Sequence, residues 1–483
     1  MSAPSLHEKK PDEVGESTIK ELDYSHISES RILRKLDWHL LPFVSLLYLL
    51  SFLDRSNIGN ANVAGLSVDL NLQGLQYNIC AAVFFITYAA FEIPSNMAMK
   101  RFRPSVWIPS IMVGWGVTMT LMSLVKNYEG LLAARVFLGV TEAGLFPGVN
   151  FYISLWYLRK EQAKRIALFF SAATVAGAFG GILAFGIEKM DGLAHLHGWA
   201  WIFLLEGIVT VLVAIIAYFV MEDYPETATF LTEDERHFVV ERLKNDTQAL
   251  ATHFDMKFFW QAISDPKSYL MVLIYLGQLV PLYAFSLFLP TIIKNLGFAA
   301  ARAQLLSVPP YVVGCFFTVL IGILSDKYRR RGLFIFIFSA IAIVGYGVLY
   351  GTSSPGAGYA GTVIAAIGIF PTIPCTVAWA SNNAGGTLKR GVTLAIIIGI
   401  GNLGGICSSF VYRKQDAPRY HLGHGVMIGL LCLSCVGSLV GMIVYPRLNK
   451  QKEELCAREG ITEAMRDRYR DDGDNSPLFR YSL

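Results

Sequence analysis

Two short charged patches interrupt otherwise apolar stretches: Asp54-Arg55 in SFLDRSNIGNA, and Arg135 with Glu142 in ARVFLGVTEAGLFPG. A charge near the middle of a bilayer costs about 2.5–3.5 kcal/mol on insertion scales, so charges kept there mark a solute or proton pathway. A guanidinium gives a carboxylate two parallel hydrogen bonds and stays charged at any relevant pH. Arg55 or Arg135 is therefore the candidate holder of an anionic solute. Asp54 and Glu142 are the candidate proton carriers, because burial and a nearby arginine act in opposite directions on a carboxyl. The competing reading is a set of buried ion pairs that only fixes helix positions.

Spacing limits which of these groups can meet. Arg135 and Glu142 are seven residues apart, about two helical turns, so they share a face and can line one cavity. Asp54 and Arg55 are adjacent, about 100° apart around a helix. Both border one cavity only if it is wide or the helix is broken, and the polar, glycine-containing SNIGNA offers a place for such a distortion. Glu92 in YAAFEIPSN and Glu206 in WIFLLEG read as helix-packing or loop-pinning residues. Tyr88, Asn150, Gln278 and Asn402 either hydrogen-bond a solute or satisfy one another across helices.

These residues need elements that hold them in a membrane. Of the 483 residues, 53% are hydrophobic and only 16% charged, and mean hydropathy is +0.45, the balance of an integral membrane protein. The net charge of +4 decides little. Apolar runs of about twenty residues recur without the two-residue alternation of barrel strands, so the expected fold is an all-α membrane protein. Twelve spans are expected, at roughly 39–64, 77–99, 105–125, 131–157, 166–187, 201–221, 269–289, 305–324, 333–350, 359–380, 392–412 and 426–445. They divide the chain into a tail (1–38), a six-helix bundle (39–221), a linker (222–266), a second six-helix bundle (267–446) and a second tail (447–483).

Met1 to Lys35 is polar and lacks the apolar run of a cleavable signal peptide; ILRKLDW reads as an amphipathic lead-in to the first span. Basic residues gather after even-numbered spans, as Lys100, Arg101 and Arg103, then Arg159, Lys160, Lys164 and Arg165, Lys327 and Arg329 to Arg331, and Lys389 with Arg390. Those loops and both termini are expected to be cytoplasmic, despite a local excess at Arg413, Lys414 and Arg419. In the linker, Thr232 and Glu235 have capping-box spacing. Gly177 and Gly181 of the fifth span match Gly401 and Gly405 of the eleventh, and the turn SNMAMKRFRPS matches GILSDKYRRRG, as a duplicated bundle would leave them. The cysteines lack metal-ligand spacing, and no phosphate loop, HExxH or paired CxxC occurs. The sequence therefore supports neither ATP-driven pumping nor metalloenzyme chemistry, and no cofactor, metal or nucleic-acid partner is expected.

With these motifs on view, the chain resembles the major facilitator superfamily and, within it, the fungal allantoate permease branch of the anion:cation symporters. LLYLLSFLDRSNIGNANVAGL, FEIPSN with KRFRPS, RVFLGVTEAGLFPG, AGAFGGILA, WIFLLEG, ETATFLTEDER, SDKYRRRG and DAPRYHLGH carry the resemblance, which runs from about Leu36 to Pro446. It implies two pseudo-symmetric halves working by alternating access, and proton-coupled uptake of a small organic anion across a fungal plasma membrane, by a monomer. Similar permeases carry nicotinate, pantothenate, biotin, allantoate or other small acids. The resemblance implies proton roles for Asp54 and Glu142, and solute contacts for Arg55, Arg135, Tyr88, Gln278 and Asn402.

Two departures stand out. The branch reads GWRW where this chain has Gly198-Trp199-Ala200-Trp201, and Thr174 falls where a bacterial sugar-acid carrier has Gln, which favours a smaller or flatter acid. An exporter of an organic acid or secondary metabolite would use the same scaffold. A nutrient receptor that binds without moving its solute is the alternative of another class.

Overall fold

A computed structural model describes residues 28–248, 256–462, 465, 469 and 473–483; most of the tail 1–38 lies outside the described residues. Among the described residues, twelve helices are long and apolar enough to cross a membrane: Glu29–Val63, Gln76–Met99, Pro104–Met122, Tyr128–Trp156, Leu168–Met190, Gly198–Val220, Pro266–Asn295, Ala300–Tyr328, Arg331–Gly351, Pro355–Asn383, Lys389–Val411 and His421–Glu459. The lead-in ILRKLDW is continuous with the first. The fourth is broken at Ala143 and Gly144 into Tyr128–Glu142 and Leu145–Trp156, and the twelfth continues past residue 446. Helix starts follow local chemistry. Asn127 Oδ1 accepts from the Gly130 N–H at 2.9 Å and Asp265 Oδ1 from the Lys267 N–H at 3.0 Å, while Pro104, Pro266 and Pro355 occupy first turns, where no N–H is needed.

The two halves repeat one arrangement. In the first, helices one and five, one and six, two and four, three and four, and three and six pack together. The same pairs recur six helices on, as seven–eleven, seven–twelve, eight–ten, nine–ten and nine–twelve. Between the halves, one meets seven, two meets eleven and five meets eight.

Glycines permit that approach. A Cβ on Gly177 or Gly181 would overlap Tyr311 or Ser307 of the eighth helix, and one on Gly405 would overlap Phe85 of the second; Gly401 faces Tyr275 within its own half. At the end away from the basic loops, Asn78 Nδ2 donates to the Ser409 and Tyr412 carbonyls at 2.5 and 3.3 Å. Lys294 Nζ donates there to the Val63 carbonyl at 3.2 Å.

At the basic end, ion pairs fasten the polar segments. The linker helix Glu233–Gln248 opens with the expected capping box, Thr232 N–H to Glu235 Oε2 at 3.0 Å and Glu235 N–H to Thr232 Oγ at 3.4 Å. Lys35 pairs with Glu235 at 2.6 Å and Arg242 with Glu29 and Glu161, which ties this helix to the first span and to the start of the helix, Arg159–Ile187, that carries the fifth. Residues 473–483 fold back under the second half. Buried Asp474 meets Lys389 at 2.6 Å and Lys267 at 2.8 Å, the Ser482 carbonyl accepts from Trp379 and Asn383, and the Leu483 carbonyl accepts from the Arg331 N–H.

Burial pushes the Asp474 carboxyl up, but Lys267 and Lys389 outweigh it and hold it below the ordinary carboxylate range. Its contribution to stability is therefore complete above about pH 4 and lost as the pH falls below that. Asp474→Ala leaves Asp265 alone to balance two lysines. A loss of about 1–3 kcal/mol is expected, read as a lower thermal unfolding midpoint in detergent.

Candidate functional site

The first helix is unbroken from Glu29 to Val63, so the distortion expected at SNIGNA is absent and Asn57, Gly59 and Asn60 are helical and buried. An unbroken helix keeps its 100° step, and that step sends Asp54 and Arg55 to different places. Arg55 reaches the interface between the halves. Asp54 faces the third and sixth helices inside the first half, where its Oδ2 accepts from Trp115 Nε1 at 3.0 Å and Thr210 Oγ at 2.9 Å. The four charged groups therefore do not all face one opening.

Arg55 lines a small cavity built equally from both halves. Tyr48, Phe52, Arg55, Tyr88, Phe146 and Phe170 come from the first half; Tyr275, Leu279, Leu282, Tyr283, Ile398 and Asn402 come from the second. Arg55 is the one ion among these residues. Its guanidinium lies 4.8 Å from the Tyr88 ring centroid and 5.3 Å from that of Phe84, so aromatic faces support the cation where water is scarce.

Behind the cavity, Glu142 Oε1 accepts from Arg55 Nη2 at 2.7 Å, Arg55 Nε at 3.2 Å and Ser51 Oγ at 2.7 Å. Both Arg55 donors converge on one oxygen. Glu142 Oε2 is buried and has no hydrogen-bond partner among the described residues. In front, Arg55 Nη1 donates to Tyr283 Oη at 3.4 Å, Tyr283 donates to Asn402 Oδ1 at 2.9 Å, and Asn402 Nδ2 donates to Glu92 Oε2 at 3.2 Å. A continuous polar chain thus runs from Glu142 in the fourth helix through Arg55, Tyr283 and Asn402 to Glu92 in the second.

Arg135 is fully buried but does not line this cavity. Its Nε donates to the Cys80 carbonyl at 3.2 Å, its guanidinium lies 4.9 Å from the Phe84 centroid, and both Nη atoms lack hydrogen-bond partners among the described residues. Gln278 also lies elsewhere, inside the second half. There its Nε2 donates to Ser434 Oγ at 2.9 Å and its Oε1 accepts from Thr376 Oγ at 2.8 Å, which satisfies it in place. Tyr88 and Asn402 do line the cavity, whereas Asn150 Nδ2 donates to the Phe146 carbonyl of its own helix at 2.9 Å.

Sequence reasoning missed Tyr48, Tyr275 and Tyr283. Tyrosines are common in this chain, with 22 in all, so type alone could not single these out. The seventh helix did carry a signal, since Tyr275, Gln278 and Tyr283 put three polar groups in an otherwise apolar run.

Twelve spans in two repeated halves around a central cavity define a membrane transporter fold, and the family profile of the Major Facilitator Superfamily matches residues 44–409. The chain belongs to this superfamily. It is 33% identical, over 90% of its length and 81% of the relative's, to the high-affinity nicotinic acid transporter of Saccharomyces cerevisiae. It is 34% identical, over 99% of its length and 97% of the relative's, to the MFS-type transporter cnsO of Penicillium expansum. Among solved structures it is similar to the xylose transporter XylE from E. coli, with a TM-score of 0.65 at 15% identity over 84% of this chain and 97% of that one. A bacterial homolog of the human lysosomal transporter Spinster gives a TM-score of 0.65 at 18% identity over 86% and 96%. The protein is a multi-pass membrane transporter rather than an enzyme.

Proposed function

We propose that this transporter moves a small, flat organic anion together with protons, by alternating access, across a fungal plasma membrane with its basic loops on the cytoplasmic side. The observation that carries the reading is Arg55. It is a buried guanidinium on the wall of a cavity between the halves, with an acid behind it and aromatic rings around it. A carboxylate entering this cavity meets one cation, four tyrosines and the Asn402 amide. That surface suits one charge on a planar body better than several charges or many hydroxyls. The nicotinic acid transporter relative supports the same substrate class.

The arrangement also supports coupling. Glu142 and an incoming carboxylate compete for the same Arg55 donors. A proton on Glu142 weakens its hold on the guanidinium and frees those donors for the solute. Losing the solute returns Arg55 to Glu142, which then gives up the proton. The solute and the proton consequently travel in the same direction.

Purified protein in liposomes with an outside-acid gradient should accumulate labelled nicotinate. Glu142→Gln should abolish uphill accumulation while keeping exchange of nicotinate across the membrane. Loss of exchange along with accumulation would count against a proton role for Glu142. Saturable binding without flux in the wild type would favour a receptor.

A further inference from the structure

We propose that Asp54 and Glu206 form a proton-binding site inside the first half, with Glu206 holding the proton, separated from the anion cavity by the first helix. The proposal rests on the proton-coupled reading above and adds a residue and a second location to it.

Glu206 lies in the sixth helix, 4% exposed, and neither of its carboxyl oxygens has a hydrogen-bond partner among the described residues. Thr210, one turn further along the same helix face, donates to Asp54 at 2.9 Å, so Glu206 shares its face with a donor to Asp54. Asp54 is the titratable neighbour of Glu206, and Glu142 is a further acid near Asp54. The third helix packs closely against this region through Gly116 and Thr120 and contributes the Trp115 donor.

The surroundings of the two acids differ. Asp54 Oδ2 accepts two hydrogen bonds that can support a negative charge, whereas Glu206 accepts none. Ionising both of two neighbouring buried acids is disfavoured, and the one without donors is the one that keeps the proton.

The second half supplies an internal control. Gln278, Ser339 and Ser434 stand 224 residues beyond Asp54, Trp115 and Thr210 (54 to 278, 115 to 339, 210 to 434). They form the corresponding polar cluster between helices seven, nine and twelve, where Gln278 bonds Ser434 at 2.9 Å and Ser434 lies 3.1 Å from Ser339. That cluster is neutral. The residue at the place of Glu206 is Leu430 (206 to 430). The packing of the repeat is therefore met without an ionisable group at either place, and the two acids of the first half need another reason.

The first helix supplies the link to the solute. Arg55 is bonded on the cavity side of the turn that presents Asp54 to the core, so a tilt of this helix on anion binding also moves Asp54 relative to Trp115, Thr210 and Glu206.

Infrared difference spectra of the purified protein, taken between acidic and alkaline buffer, should contain a protonated-carboxyl band that Glu206→Gln removes. In liposomes, Glu206→Gln should lose uphill nicotinate accumulation far more than exchange. Thr210→Val combined with Trp115→Phe, which strips Asp54 of its donors and keeps Glu206, should shift the pH dependence of that band. A band unchanged in Glu206→Gln, no shift in the double variant, or full uphill accumulation by Glu206→Gln would overturn the site. If wild-type protein shows no proton-driven accumulation, the symport reading fails. The infrared result still decides whether Glu206 binds the proton.

Discussion

Arg55→Ala is expected to abolish transport and also to destabilise the protein by about 3–5 kcal/mol, the usual consequence of removing one partner of a buried ion pair. Arg55 is 7% exposed and Glu142 fully buried, so of the hydrogen bonds to Glu142 among the described residues only that from the Ser51 hydroxyl remains. Adding Glu142→Gln removes the uncompensated charge. The double variant should therefore recover most of the thermal unfolding midpoint and none of the nicotinate uptake. That separation matters, because a buried pair with only a structural role would let uptake return with stability. The pair would then be a fastener between the first and fourth helices, and the anion site would have to be sought elsewhere. Unfolding in detergent and uptake in liposomes, measured on the wild type, both single variants and the double variant, form a cycle that isolates the interaction.

The number and order of helices were legible because a twenty-residue apolar run needs no tertiary information to be recognised. Arg55 and Glu142 were legible for a related reason, since a charge inside such a run is conspicuous. Which way a side chain faces was less accessible. Placing Asp54 in the same opening as Arg55 required a wide cavity or a distorted helix, and the regular 100° step of an intact one puts it in the core of the first half instead. Gln278 illustrates the same limit, because a lone amide in an apolar helix satisfies itself equally well in a core or a cavity. The repeat holds the missing information. The offset that relates Gly177 to Gly401 also relates Asp54 to Gln278, and one helix–helix environment then follows from the other. Aromatic cavity residues such as Tyr48 and Tyr283 had no such signal, since rings also serve lipid contacts and the core.

Gly59→Val should reduce transport by trapping the carrier with its halves apart at the end away from the basic loops. Gly59 sits on the first helix directly against the Leu287 carbonyl of the seventh, so a side chain there would collide with backbone that cannot rotate out of the way. Overpacking of this kind costs about 1–3 kcal/mol. Because it is felt only where the two helices touch, it bears on the closed arrangement alone and shifts the closed-to-open ratio about 5- to 150-fold. Gly181→Val, meeting Ser307 and the Gln304 carbonyl on the eighth helix, should act the same way from the other side of the interface.

Cys80 offers a built-in reporter. It is fully buried here, and its carbonyl accepts the Arg135 hydrogen bond near the Asn78 contact with the eleventh helix. With the other cysteines replaced, a membrane-impermeant thiol reagent should label Cys80 faster in Gly59→Val than in the parent. The same substitution at Gly347, where a Cβ meets nothing within 4 Å, should change neither labelling nor uptake. Equal labelling in Gly59→Val and the parent would mean that the first and seventh helices do not part during the cycle. Alternating access would then have to proceed through the fifth–eighth and second–eleventh contacts alone.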